Sequence, residues 1–107
     1  VPEKLYQRYL TDTARVAVHQ DISGPDVVAF SLQLELLLDG RWRKVVRFDS
    51  AHGQPHRHVF YPDGREYREA MSLQNNNLAF TEAGKILAES FQGYCERYIA
   101  YRERMIQ

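Results

Sequence analysis

Cysteine is almost missing from this chain. Cys95 is the single one in 107 residues, so neither an intramolecular disulfide nor a cysteine-based metal site is available. A reducing cytoplasm is the expected localisation, and the place of Cys95 in a helical apolar pattern predicts core packing. No stretch approaches the roughly 18 consecutive apolar residues of a membrane span, and no secretory leader pattern opens the chain. No membrane partner is expected. A first residue Val1, without an initiator methionine, is expected of a processed chain or of a piece of a longer one. An excess of charge of one sign is also missing, because 14 Lys and Arg balance 14 Asp and Glu. That balance argues against a broad electrostatic footprint for nucleic acid and leaves room for a local basic patch, so RNA is an allowed partner.

What is present fits one domain, 1–107, with ordinary hydrophobic content of 44%. Residues 2 to 10, with Leu5, Tyr6, Tyr9 and Leu10 on one side, are predicted as a short helix. From Ala14 the period changes to two, with Val16 and Val18 against Arg15 and His19, and from Val27 to Leu37 the alternation strengthens through Phe30, Leu32, Leu34 and Leu36. Leu38-Asp39-Gly40 is predicted as a three-residue hairpin loop, pairing Leu32 with Val46 and Leu36 with Trp42. A two-residue Asp39-Gly40 turn would instead set Arg41, Arg43 and Arg47 beside the leucines. Pro62-Asp63-Gly64 predicts a second hairpin, with Arg57 opposite Glu69 and Val59 opposite Tyr67. The asparagine run 75 to 77 reads as loop, and Thr81 as the cap of a long amphipathic helix ending near Arg104, with Gly93 marking a kink or close approach. The fold class expected is α+β, an antiparallel meander of about five strands packed against a long C-terminal helix.

The chemistry concentrates between Arg47 and His58, where three of the four histidines accompany Asp49, Arg47 and Arg57. His56 and His58 are two apart and share one face of a strand. If Asp49 faces His56, Arg47 faces His58 and all four share the polar face; a slip of one residue buries both imidazoles beside Phe48 and Val46. Three uses fit the polar register. In RNA cleavage one imidazole removes the 2′-OH proton and another protonates the leaving oxygen, with His52, His56 and His58 as candidates, Asp49 orienting, Arg47 or Arg57 holding phosphate, and Tyr61 or Tyr67 as a further donor. In metal binding, His52, His56, His58 and Asp49 supply nitrogen and oxygen ligands, although the spacing matches no strong signature. Thirdly, the cluster is a hydrogen-bonded surface without catalysis. No cofactor is expected. His19 stands alone in sequence, Trp42 reads as core, and the Tyr94, Tyr98, Tyr101 stripe reads as helix packing.

A strand ending Val45-Val46-Arg47-Phe48-Asp49, a glycine-containing loop, His56-Arg57-His58, a tyrosine and a C-terminal helix together resemble the TumE-type toxins of type II toxin-antitoxin modules. In that family a Tyr-Asp-Asn segment and a downstream His-Arg-His recur; here Phe48 and Ser50 stand where the tyrosine and asparagine would. The resemblance spans about residues 32 to 95. It implies a small cytoplasmic protein acting on RNA and neutralised by an antitoxin-like protein partner. A related uncharacterised domain family with the same Asp-x-x-His-Gly core is the other relative implied, and a non-catalytic interaction module is the competing class.

Overall fold

Strict alternation governs the centre of the fold. Phe30, Leu32, Leu34 and Leu36 are buried on one side of a strand whose Ser31, Gln33 and Glu35 face the other way. The computed structural model describes residues 2–106, the side chain of His52 excepted. Six strands form one antiparallel sheet in chain order: β1 (Glu3–Thr11), β2 (Ala14–Ser23), β3 (Asp26–Leu38), β4 (Arg41–Asp49), β5 (His56–Phe60) and β6 (Glu66–Ala70). A helix, α1 (Asn76–Met105), lies across β3 and β4. Its Ala79, Ala83, Leu87, Tyr94, Cys95 and Tyr98 close on Val16, Val18, Leu32, Leu34, Val46 and Phe48 to make the hydrophobic core. The α+β meander expected from periodicity is therefore present with one strand more. Among the described residues no helix is long and apolar enough to cross a membrane.

The extra strand is β1, predicted as a helix. Its residues are exposed almost throughout, so a helix here would have no surface against which to bury Leu5, Tyr6 and Tyr9. Pairing with β2 instead satisfies the backbone groups that β2 would otherwise leave open at the sheet edge.

The first hairpin also differs from expectation. Leu38 pairs with Arg41 across a two-residue Asp39-Gly40 turn, with φ 53° and 74°, the doubly left-handed geometry that matches strand twist. The register conflict is resolved by a β-bulge: Glu35 pairs with Lys44, Leu34 with Val46, and Val45 is the extra residue. Leu32 thus faces Phe48, and Arg47 returns to the polar side. The remaining penalty falls on Arg43, opposite Leu36, whose buried Nε lacks a hydrogen-bond partner. Trp42 moves to the polar face, under the Arg15 guanidinium at 4.0 Å, rather than into the core.

At the helix start, Asn75 rather than Thr81 is the cap, its side chain accepting from Leu78 N at 3.1 Å. The neighbouring asparagines tie the first turn to β3. Asn77 Oδ1 accepts from Val27 N at 2.7 Å, and Asn76 Nδ2 donates to Val28 O at 3.0 Å. Polarity that reads as loop is thus used for docking. Gly93 sits inside an unbroken helix with nothing within 4 Å of where its Cβ would be, so no close approach requires it. Gly93→Ala is therefore expected to raise stability by up to about 1 kcal/mol, measured by urea unfolding.

Candidate functional site

The β4–β5 connection sets the site. Ser50 locks the end of β4 beside β3: its N donates to Phe30 O at 3.1 Å and its Oγ accepts from Phe30 N at 2.9 Å. A 3-10 turn (Ala51–Gly53) follows, with Gly53 at φ +81°, a left-handed conformation natural to glycine. Pro55, fully buried, accepts from Met71 N and anchors the start of β5. The resulting register pairs Asp49 with His56 and Arg47 with His58, so all four share the face turned away from α1.

On that face polar side chains form a continuous chain across five strands. Arg15 Nε donates to Glu35 at 2.7 Å, and Gln33 Nε2 donates to the other oxygen of Glu35 at 2.7 Å. Arg47 reaches Gln33 at 3.4 Å and donates through Nε to Asp49 Oδ2 at 2.8 Å. Asp49 is 6% exposed, and its Oδ1 accepts from Ala51 N at 3.1 Å. His58, 7% exposed, lies with Nε2 3.3 Å from Asp49 Oδ2 and Nδ1 2.7 Å from Glu66 Oε2. Its ring stacks parallel to Phe60, whose own face is covered by Lys44. With Asp49 beside one ring nitrogen and Glu66 beside the other, His58 has no nitrogen free for a substrate.

His56 is the opposite case. Its Nδ1 lies 2.7 Å from the Gln54 carbonyl, which only accepts, so that nitrogen carries the proton. Nε2 has no partner among the described residues and sits at a partly exposed position. Arg68 of β6 faces His58 across the ladder on this same face and, among the described residues, makes no ion pair. Free basic nitrogen and free cation are therefore neighbours.

The other proposed substrate residues lie elsewhere. Arg57 alternates to the helix side, donating to Tyr94 OH at 3.1 Å and pairing with Glu69, and both its hydrogen bonding and the charge of its neighbours raise its pKa against an opposing burial effect. Tyr67 also turns to that side, its OH donating to Glu69 at 3.2 Å, and Tyr61 packs on Tyr101. The side chain of His52 lies outside the described residues. Among the participants that went unread in the sequence are Gln33, Glu66 and Arg68. Arg68 and Glu66 follow from the hairpin register, since Arg57 opposite Glu69 places Arg68 opposite His58. His19 shares one row with Ser31, Asp49 and His56 through three strand pairings. With Asp49 and His58 committed to each other and to Arg47, Ala51 and Glu66, the metal-ligand reading of this cluster keeps only the Nε2 of His56 free among the described residues.

The Glu66 carboxyl is held below its usual range, first by the hydrogen bond from His58 and opposed by burial. A lowered carboxyl contributes stability above its unfolded pKa and loses it as pH falls through the folded one. Glu66→Gln is therefore expected to have a melting temperature that falls less steeply than wild type below about pH 5, followed by circular dichroism.

An antiparallel sheet with one face covered by a helix and the other carrying a carboxylate-held imidazole, an open imidazole and, among the described residues, an unpaired arginine defines a small α+β protein with a polar sheet-face site. The chain belongs to the DUF7718 family, a domain of unknown function whose model matches residues 1–104. Neither the curated proteins nor the solved structures give a match.

Proposed function

We propose that this chain is a small toxin-like protein that cleaves RNA by histidine acid-base chemistry in a reducing cytoplasm and is neutralised by an antitoxin-like protein partner. The observation that carries the reading is the Nε2 of His56, without a partner among the described residues, poised as an acceptor by the Nδ1 contact to Gln54 and set on the face that also carries Arg68. His56 takes the proton of a ribose 2′-OH, the 2′ oxygen attacks the adjacent phosphorus, and the bond from phosphorus to the 5′ oxygen breaks. His52, in the neighbouring 3-10 turn, is assigned the return of a proton to that 5′ oxygen. The products are a 2′,3′-cyclic phosphate and a 5′-hydroxyl. Arg68 stabilises the charge that builds on phosphorus. In the His-Arg-His segment that resembles that of TumE-type toxins, His56 is assigned to the site, while Arg57 turns to the helix side and bonds Tyr94.

Expression in a bacterial host tests this: growth arrest relieved by His56→Ala supports the reading, and harmless wild-type protein without RNA cleavage overturns it. The interaction-module reading is favoured by one observation, the edge strand β1, where Leu5, Tyr6 and Tyr9 are 69%, 49% and 58% exposed. Under that reading His56→Ala changes nothing.

A further inference from the structure

A second cluster lies on the same open face, outside the site just described. Glu3 of β1 stands directly opposite Asp21 of β2, and the next pair on that face is Leu5 with His19. Two carboxylates directly across an antiparallel ladder repel each other and destabilise the pairing. The group between them is a single nitrogen: His19 Nε2 is 3.3 Å from Asp21 Oδ1 and 3.4 Å from Glu3 Oε2. Both separations exceed the roughly 2.7–2.9 Å of a charge-assisted N–H···O bond, so a hydrogen bond from this nitrogen would be long and shared between the two oxygens.

The spacing matches coordination better. Two bonds of about 2.0–2.1 Å meeting at a tetrahedral centre hold their donor atoms about 3.3–3.4 Å apart. The three donor atoms all lie within 4.8 Å of one another, and this is the only such group among the described residues. All three side chains are a third or more open to solvent, so water can complete the shell. One imidazole nitrogen with two carboxylate oxygens suits a borderline ion better than calcium or magnesium, which take oxygen ligands in larger number.

We propose that Glu3, His19 and Asp21 bind a divalent first-row transition ion of the zinc class. The ion neutralises the opposed carboxylates and fastens the exposed edge strand β1 to β2. His19 and His56 are three strand spacings apart, about 14 Å, so the ion is separate from the base assigned to RNA cleavage and the two proposals stand or fall independently.

Calorimetric titration of tag-free, chelator-stripped protein with Zn²⁺ tests the site, with melting temperature followed in parallel. The expected result is one ion per chain and a melting temperature raised by Zn²⁺, with affinity lowered about tenfold or more in His19→Ala and in Asp21→Asn. His56→Ala is expected to bind as wild type does. Absence of Zn²⁺ binding by wild type, unchanged affinity in both His19→Ala and Asp21→Asn, or loss of binding in His56→Ala overturns the assignment. Circular dichroism of each variant separates loss of the site from loss of the fold.

Discussion

Replacing His56 with alanine is expected to lower the proposed RNA cleavage by about 10² to 10⁴-fold, the usual range for removing a general base. The fold should barely register the change. His56 is partly exposed, and its one hydrogen bond is to the Gln54 carbonyl, which can turn to water; the expected loss of stability is within about 0.5 kcal/mol, as for surface substitutions generally. His58→Ala separates the two roles in the histidine pair. It removes a contact of both Glu66 and Asp49, so cleavage and stability should fall together. A kinetic loss without a stability loss marks the base, and a joint loss marks the imidazole held between Asp49 and Glu66. If His58→Ala abolished cleavage while leaving the unfolding midpoint untouched, the roles assigned to the two imidazoles would be reversed.

Asp49→Ala is expected to produce the largest stability loss among substitutions on the polar face, about 3 kcal/mol, at the lower end of what breaking a buried ion pair costs. The reason is convergence. One carboxylate receives Arg47 Nε and Ala51 N and faces His58 Nε2, and it is itself almost wholly buried. Removing it takes that acceptor from Arg47 Nε, the His58 ring and the Ala51 backbone N–H. Arg47 can swing toward solvent, which holds the loss below the upper end of the range. Asp49→Asn keeps an oxygen for Ala51 N and should fall between alanine and wild type. Urea unfolding with an unchanged denaturant slope is the measurement, and a loss under about 1 kcal/mol for Asp49→Ala would show that the network contributes little.

Much of this geometry is legible in the residues themselves, and the reason is period two. Alternation through Phe30, Leu32, Leu34 and Leu36 identifies the buried face of β3, and Pro62-Asp63-Gly64 sets the β5–β6 register correctly, with Arg57 opposite Glu69 and Val59 opposite Tyr67. Asp49 opposite His56 is one of only two pairings that the loop length allows, and it is the one present. What escapes pattern reading depends on partners distant in sequence. Asp39-Gly40 prefers the two-residue turn strongly enough to impose a slip, which the Val45 bulge then corrects; a bulge carries no residue-type signature that alternation alone reveals. β1 has helical spacing but no surface to bury against, which only the finished sheet makes plain. Asn75, Asn76 and Asn77 read as loop because their side chains compete with the backbone, yet here they cap the helix and bind the start of β3. His19 is solitary in the chain and reaches the histidine row only through strand pairing.

The most direct test of the account is the chemistry of the RNA ends. Tag-free protein treated with chelator is incubated with an RNA oligonucleotide and with a copy carrying 2′-deoxyribose at the cleaved position. The expected result is 2′,3′-cyclic phosphate and 5′-hydroxyl ends from the RNA, no cleavage of the deoxy-substituted copy, and cleavage at least about 10²-fold slower by His56→Ala. Cleavage of the deoxy-substituted strand, or wild-type rates from His56→Ala, would contradict it.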